Sequence, residues 1–241
     1  MQASATRPHT IVTGGSSGIG AAVVGQLLGR GHAVTVLDLQ AGDAGGVAYE
    51  TLDLTDEAAV RAAVGSATDD LGAVTGLVTC HGIRGAFVPV EELDLERVRR
   101  VFDVHVLATL SVCREVVSRL EGRPASIVTI SSTTAYRGWA RQADYGPAKA
   151  AVRQLTENLA IEWAPLGVRV NSVAPGHTRT PMVQDMVDKG YDLAPVEART
   201  PLGRLADPAE MARAICYLLC DADFVTGQCL AVDGGWTTVG K

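Results

Sequence analysis

A chain of 241 residues, 47% hydrophobic and 20% charged, can bury one substantial core or two small ones. Its 21 basic against 27 acidic residues give a net charge of −6, and with no basic tract they argue against nucleic acid or an anionic membrane as partner. No apolar run approaches the ~18 residues of a membrane span, no leader-like apolar stretch opens the chain, and the five cysteines include no Cys-x-x-Cys, so free thiols in a reducing cytoplasm are expected, without disulfide or metal site.

In chain order, "HTIVTGG" reads as a strand ending in a glycine turn, and "SGIGAAVVGQLLGRG" as a helix closed by Gly31. "AVTVLDL" is a second strand. A short third strand precedes "LDL" at 52–54, and "DEAAVRAAVGSAT" is a helix. "AVTGLVTCHG" holds a strand, followed by one long helical stretch, "LDLERVRRVFDVHVLATLSVCREVVSRL". "ASIVTISS" is a strand, "ADYGPAKAAVRQLTENLAIEWAPLG" a helix broken near Pro165, and "VRVNSVAPG" a strand. "DPAEMARAICYLLC" is a helix opened by Asp207 and Pro208, and "QCLAVDGG" is the last strand. Apolar strands alternating with helices predict an α/β fold in one domain over 1–241, a doubly wound (Rossmann) parallel sheet of about seven strands. Residues 177–206 stand apart. They have weak periodicity and three prolines, and are expected to form a loop that serves as a lid after the sixth strand.

The turn "TGGSSGIG" sits between strand and helix. Gly14, Gly18 and Gly20 allow a tight turn and close approach to a pyrophosphate, with Ser16, Ser17 and Ile19 beside them. Asp38 closes the second strand, 18 residues after Gly20. A carboxylate there accepts from both ribose hydroxyls and repels a 2′-phosphate, and no Arg or Lys lies within the turn or at Leu39, so NAD is favoured over NADP. Asp53 is expected either to cap the next helix or to reach the adenine, with Leu54 beside it. Tyr145 and Lys149, four apart, share one helix face.

With these residues in view, the chain resembles the short-chain dehydrogenase/reductase family in its single-domain form, over nearly its whole length. The family's TGxxxGxG matches Thr13, Gly14, Gly18 and Gly20, and its YxxxK matches Tyr145 and Lys149. Its serine falls thirteen residues before the tyrosine at Ser132, with Ser131 as the structural alternative. Its PG-x-x-x-T matches Pro175, Gly176 and Thr180. Two departures stand out. Where the family often has Asn-Asn-Ala-Gly, the chain has Thr79, Cys80, His81 and Gly82, and only Gly82 keeps the close backbone approach. Where it often has a helix Asn that kinks the helix and holds a relay water by its carbonyl, the chain has His105, either a satisfied core histidine or a titrating relay member.

The resemblance implies hydride transfer between a secondary alcohol and a nicotinamide, in a homo-oligomer, tetramer or dimer. Tyr145 would be general base in oxidation and general acid in reduction. Lys149 would lower its pKa from near ~10 and hold the nicotinamide ribose. Ser132 would position the substrate oxygen. Thr178 and Thr180 would bind the carboxamide or phosphate, Met182 and Met186 would form an adaptable wall, and Trp139, His177, Arg84 and Arg141 would border the pocket, an arginine there suiting a substrate carboxylate. A cyclic or aromatic alcohol or diol is the substrate suggested by Trp139 and the methionines. The alternatives are a 3-oxoacyl thioester reductase and a non-catalytic dinucleotide-binding regulator.

Overall fold

The structure, a computed structural model, describes residues 7–240; the first six residues, on which part of the no-leader expectation rests, lie outside it. Seven strands form one parallel sheet in the order β3-β2-β1-β4-β5-β6-β7. They are β1 (His9–Thr13), β2 (Ala33–Asp38), β3 (Val47–Thr51), β4 (Val74–Thr79), β5 (Ala125–Ile130), β6 (Val168–Pro175) and β7 (Cys229–Val232). The order reverses after β1, because β4 returns to its other side. This opens a crevice at the carboxyl ends of β1 and β4.

Side-chain alternation along the strands feeds two cores. Ile11, Leu77, Ile127 and Val170 face one layer, built from α2 (Glu57–Leu71), α4 (Ala108–Val117) and α5 (Tyr145–Trp163). Their neighbours Val12, Val78, Val128 and Val173 face the other, built from α1 (Gly18–Gly29) and α8 (Pro208–Cys216). Each such fully buried aliphatic contributes about 1.5–3 kcal/mol, so the sheet is held from both faces. No helix among the described residues is long and apolar enough to cross a membrane.

Three elements differ from the sequence expectation. The long helix over 93–120 is divided into α3 (Leu95–Phe102) and α4 by a π-helical turn, Asp103–Leu107, which carries His105. Such turns widen a helix locally and concentrate at functional sites. The segment expected to be a loop folds into α6 (Pro181–Asp188) and α7 (Ala194–Arg199). Thr180 caps α6, its hydroxyl accepting from the Val183 N–H at 3.3 Å, and Pro181 occupies the first turn. Two of the three prolines, Pro181 and Pro195, therefore start helices, where a missing N–H costs nothing. The helix cap after β3 is Asp56 rather than Asp53, since its carboxylate accepts from Ala58 N–H at 2.9 Å and Ala59 N–H at 3.1 Å.

Candidate active site

A cleft of about 350 Å³ runs across the carboxyl ends of the strands, from Asp38 to the α6 face. Its floor is the glycine turn. Gly14 and Gly18 take positive φ, at 64° and 54°, a conformation that side chains disfavour. A Cβ at Gly20 would stand 2.1 Å from the Gly14 carbonyl oxygen, so the first turn of α1 packs directly on the strand end. Asp38 pins this turn, accepting the Ser16 N–H at 3.0 Å. Gly14, Ser17, Gly18, Ile19, Gly20 and Asp38 all line the cleft. The Ser16 hydroxyl, beside them, donates to the Gln40 carbonyl at 2.6 Å.

Asp53 and Leu54 border the same end of the cleft. The Thr55 N–H and hydroxyl donate to the Asp53 carboxylate at 2.9 and 2.7 Å, and Arg100 lies 3.1 Å away. These bonds, the Thr55 N–H foremost, hold the carboxyl at a pKa of about 2.

The opposite end carries the candidate chemistry. Ser132 follows β5, and Tyr145 opens α5, whose second turn presents Lys149. Burial pushes the Tyr145 phenol up to about 12, while a hydrogen bond with Ser132 pulls it back. The Lys149 ammonium donates to the Ile130 carbonyl at 2.8 Å and sits 5.7 Å from the Tyr145 ring centre. Burial lowers its own pKa to about 8. Desolvation is the larger of these two influences, so the phenol is neutral in this state. Ser131 donates its hydroxyl to the Lys149 backbone carbonyl at 2.9 Å, which fixes the helix to β5.

His81 and His105 both hydrogen-bond within this corner. The Val104 carbonyl can only accept, so His81 Nε2, 3.0 Å away, carries the proton and Nδ1 accepts from the Thr13 hydroxyl at 2.6 Å. His81 thus ties the end of β1 to the π-helical turn. His105 Nε2 lies 2.8 Å from the Ile83 carbonyl, and its ring stands edge-on to Tyr145 at 5.3 Å. Its Nδ1 is buried with no hydrogen-bond partner. Burial, and then Lys149, hold His105 neutral, well below the usual histidine range. A Cβ on Gly82 would meet the His105 ring at 2.5 Å, so the retained glycine is what leaves room for the histidine. Cys80 also lines the cleft, and burial holds it as a thiol with a pKa of about 12.

Pro175, Gly176, Thr178 and Thr180 line the wall after β6. The Thr178 hydroxyl donates to the Gly176 carbonyl at 3.1 Å, and Thr180 is the α6 cap described above. Met182 and Met186 face the cleft from α6, with Trp139 and His177 opposite, their rings 5.1 Å apart. Arg84 borders the cleft, 3.6 Å from the Asp185 carboxylate. Arg141 is exposed, on the turn before α5. Sequence reasoning missed Ile83, Phe87, Thr134 and Gln142, all on the wall. Only the last two carried a signal, two residues after Ser132 and three before Tyr145.

A groove laid over a glycine turn and ending at a Ser–Tyr–Lys cluster defines a class, and the chain belongs to it: the short-chain dehydrogenase/reductase family. The family model described as enoyl-(acyl carrier protein) reductase matches residues 14–237. Among curated proteins, the chain is 40% identical over 242 residues to cis-4-hydroxycyclohexanecarboxylate dehydrogenase of Sinomonas cyclohexanicum, covering 95% of this chain and 96% of that one. It is 38% identical over 241 residues to 2,5-dichloro-2,5-cyclohexadiene-1,4-diol dehydrogenase of Sphingobium indicum, with the same coverage, 95% and 96%. Among solved structures, the ligand-free aldohexose dehydrogenase of Thermoplasma acidophilum superposes with a TM-score of 0.91 at 28% identity, covering 97% of this chain and 95% of that one. These relatives support an oxidoreductase of alcohols and their carbonyl counterparts.

Proposed function

We propose that the protein is an NAD-dependent dehydrogenase of a cyclic secondary alcohol, with Tyr145 as its general acid/base. The observation that carries this reading is the shared cleft: Ser132, Tyr145 and Lys149 at one end, Asp38 over the glycine turn at the other. The residues present suit a nicotinamide dinucleotide, whose ring supplies the hydride acceptor when bound. The glycine turn with the α1 N-terminus suits its pyrophosphate, and Asp38 suits an unphosphorylated ribose. Arg100, the nearby cation, is engaged by Asp53 and so does not call for a 2′-phosphate.

A substrate oxygen placed between Ser132 and Tyr145 would accept from the serine hydroxyl and exchange its proton with the phenol. Because burial holds that phenol neutral, the protein's resting form donates a proton and suits carbonyl reduction near neutrality. Alcohol oxidation needs the phenolate and therefore gains with rising pH. Lys149, the closest cation, favours that anion for as long as it stays charged itself. Helices α6 and α7 act as the substrate lid, and the apolar wall of Trp139, Met182 and Met186 suits a ring skeleton. The two ring-alcohol dehydrogenases among the relatives favour the same skeleton.

The test is a panel of cyclic and open-chain secondary alcohols with NAD and with NADP, followed by reduced-cofactor absorbance. Native protein should turn over ring alcohols with NAD. Tyr145→Phe should lose about 100-fold or more in kcat while still binding NAD. Cofactor binding without turnover of any alcohol by native protein would instead favour the dinucleotide-binding regulator.

A further inference from the structure

Two of the chain's three tryptophans stack on each other outside both cores. The rings of Trp139 and Trp236 lie 5.2 Å apart with their planes at 26°. Trp139 borders the cleft; Trp236 does not, and only 4% of it is exposed. The segment that carries Trp139 does little to fix it. Residues 138–141 form neither helix nor strand, and Gly138, Ala140 and Arg141 are exposed.

The turn after β7 is fixed far better. Gly234 and Gly235 take φ of 63° and 88°, and a Cβ on either would stand within 3 Å of a side chain, 2.8 Å from Thr200 and 2.9 Å from Pro201. The Leu202 N–H donates to the Gly234 carbonyl at 3.2 Å, and Asp233 accepts the N–H groups of Gly235 at 2.9 Å and Thr237 at 2.8 Å. This turn brings Trp236 against the last residue of α7. The Arg199 guanidinium carbon lies 4.1 Å from the indole centre, and its Nε is buried with no hydrogen-bond partner, so the cation rests on the indole. From Trp139 the row of rings runs on along the cleft, to His177 at 5.1 Å and from there to Tyr191 at 6.3 Å. Tyr191 and Arg199 lie on either side of the α7 body, so the row begins and ends on one segment.

Resting on the alcohol-dehydrogenase reading, we propose that Trp236 is a positioning residue for substrate choice: held under Arg199, it fixes the Trp139 indole as a rigid wall for a ring alcohol. Trp236 touches no substrate; it acts through Trp139. Without it, a substrate must order Trp139 on binding, and that ordering costs affinity. A rigid ring gains most from a wall already in place, because it loses no torsional freedom of its own. An open chain freezes several torsions in either case and conforms to a displaced wall.

The experiment compares cyclohexanol with 2-hexanol, alcohols of equal carbon number, with NAD, in native protein, Trp236→Ala, Trp236→Phe and Arg199→Met. Native protein should prefer the ring. Trp236→Ala should lower kcat/KM for cyclohexanol about tenfold, the worth of one good aromatic contact, through KM and with kcat kept. For 2-hexanol the change should stay below about twofold. Trp236→Phe keeps an aromatic face against Trp139 and should restore the ring preference, which a merely structural role would not require. Its circular dichroism should lose the paired bands of two coupled indoles that native protein shows. Arg199→Met keeps the length of the side chain and removes the cation, and should lose about threefold for the ring alone; it decides the matter should Trp236→Ala fold poorly. Equal losses for both alcohols, or none for either, in a variant that still binds NAD overturn the positioning role and leave the dehydrogenase standing, as does native protein without a ring preference. No oxidation of either alcohol by native protein overturns the dehydrogenase and the positioning role together.

Discussion

The contact between Gly82 and His105 shows how one side chain sets the tolerance of another. The His105 ring would lie 2.5 Å from a Cβ at Gly82, and its Nε2 is tied to the Ile83 backbone. Gly82→Ala should therefore displace the histidine or the backbone on which the cleft is built, costing about 1–3 kcal/mol as overpacking does. His105→Ala opens a cavity at the same place. In the double variant the new methyl enters that space, so the two losses should fall short of additivity by at least ~0.5 kcal/mol in urea denaturation. Strict additivity would show that the two do not pack as described. The close approach at Gly82 was legible in the sequence through the family resemblance, which keeps a glycine there. What approached was not, since His105 is brought there by a π-helical turn that periodicity does not announce.

Among the elements, α5 is fixed at its head by a buried carboxylate. Asp144 has no exposed surface and accepts two backbone N–H groups, from Tyr145 at 2.8 Å and from Ala86 at 2.8 Å. The second bond reaches the segment after β4, where Phe87 holds a φ of 58°, unusual for a large side chain. That segment in turn meets the stretch that carries α6 and α7, Phe87 against Tyr191 at 6.0 Å and Arg84 beside Asp185. Asp144 is thus a positioning residue joining Tyr145 to the substrate wall. Asp144→Asn keeps an acceptor for one N–H and turns an amide on the other, so the wall should loosen. We expect KM for the alcohol to rise about tenfold, a single orphaned bond of ~1.4 kcal/mol, with the NAD affinity retained. A loss confined to thermal stability, with KM unmoved, would make Asp144 merely structural. At this scale the strands and most helices were plain from apolar runs and Asp-Pro or glycine punctuation. Helices α6 and α7 were not, because six to eight residues give too little periodicity and prolines read as breakers until their place in the first turn is known.

Over the whole molecule, folding keeps nearly every perturbed interior group uncharged. All five histidines are pushed below their ordinary range by burial, His81 and His177 to about 4. Cys80, Cys113 and Cys216 are pushed up to about 12, again by burial. The exception is Lys149, lowered only to about 8, which keeps most of its charge near neutrality. These directions fix how stability depends on pH. Below 6.5 the unfolded histidines bind protons that the folded ones refuse, so stability falls as pH drops from 6.5 towards 4. Above 9 the unfolded thiols release protons that the folded ones keep, so stability falls as pH rises from 9 towards 12. Lys149 acts the other way between 8 and 10.5, where the folded chain has shed a proton that the unfolded chain still holds, and it offsets part of the thiol loss. Urea unfolding of the cofactor-free protein should therefore show a plateau between about pH 6.5 and 8. Between 6.5 and 5, above the range where most carboxylates titrate, each strongly shifted histidine should contribute up to about 2 kcal/mol to the decline, on ~1.36 kcal/mol per pKa unit. His81→Gln, which removes one of those groups, should flatten that acid slope. Lys149→Met should raise stability at pH 7 and lose its advantage as pH climbs through 10, because the buried ammonium it removes is costly only while charged. Stability that stayed level from pH 6.5 to 5 would mean that the histidines take up protons without strain, and the neutral packing described around His81 and His105 would be wrong.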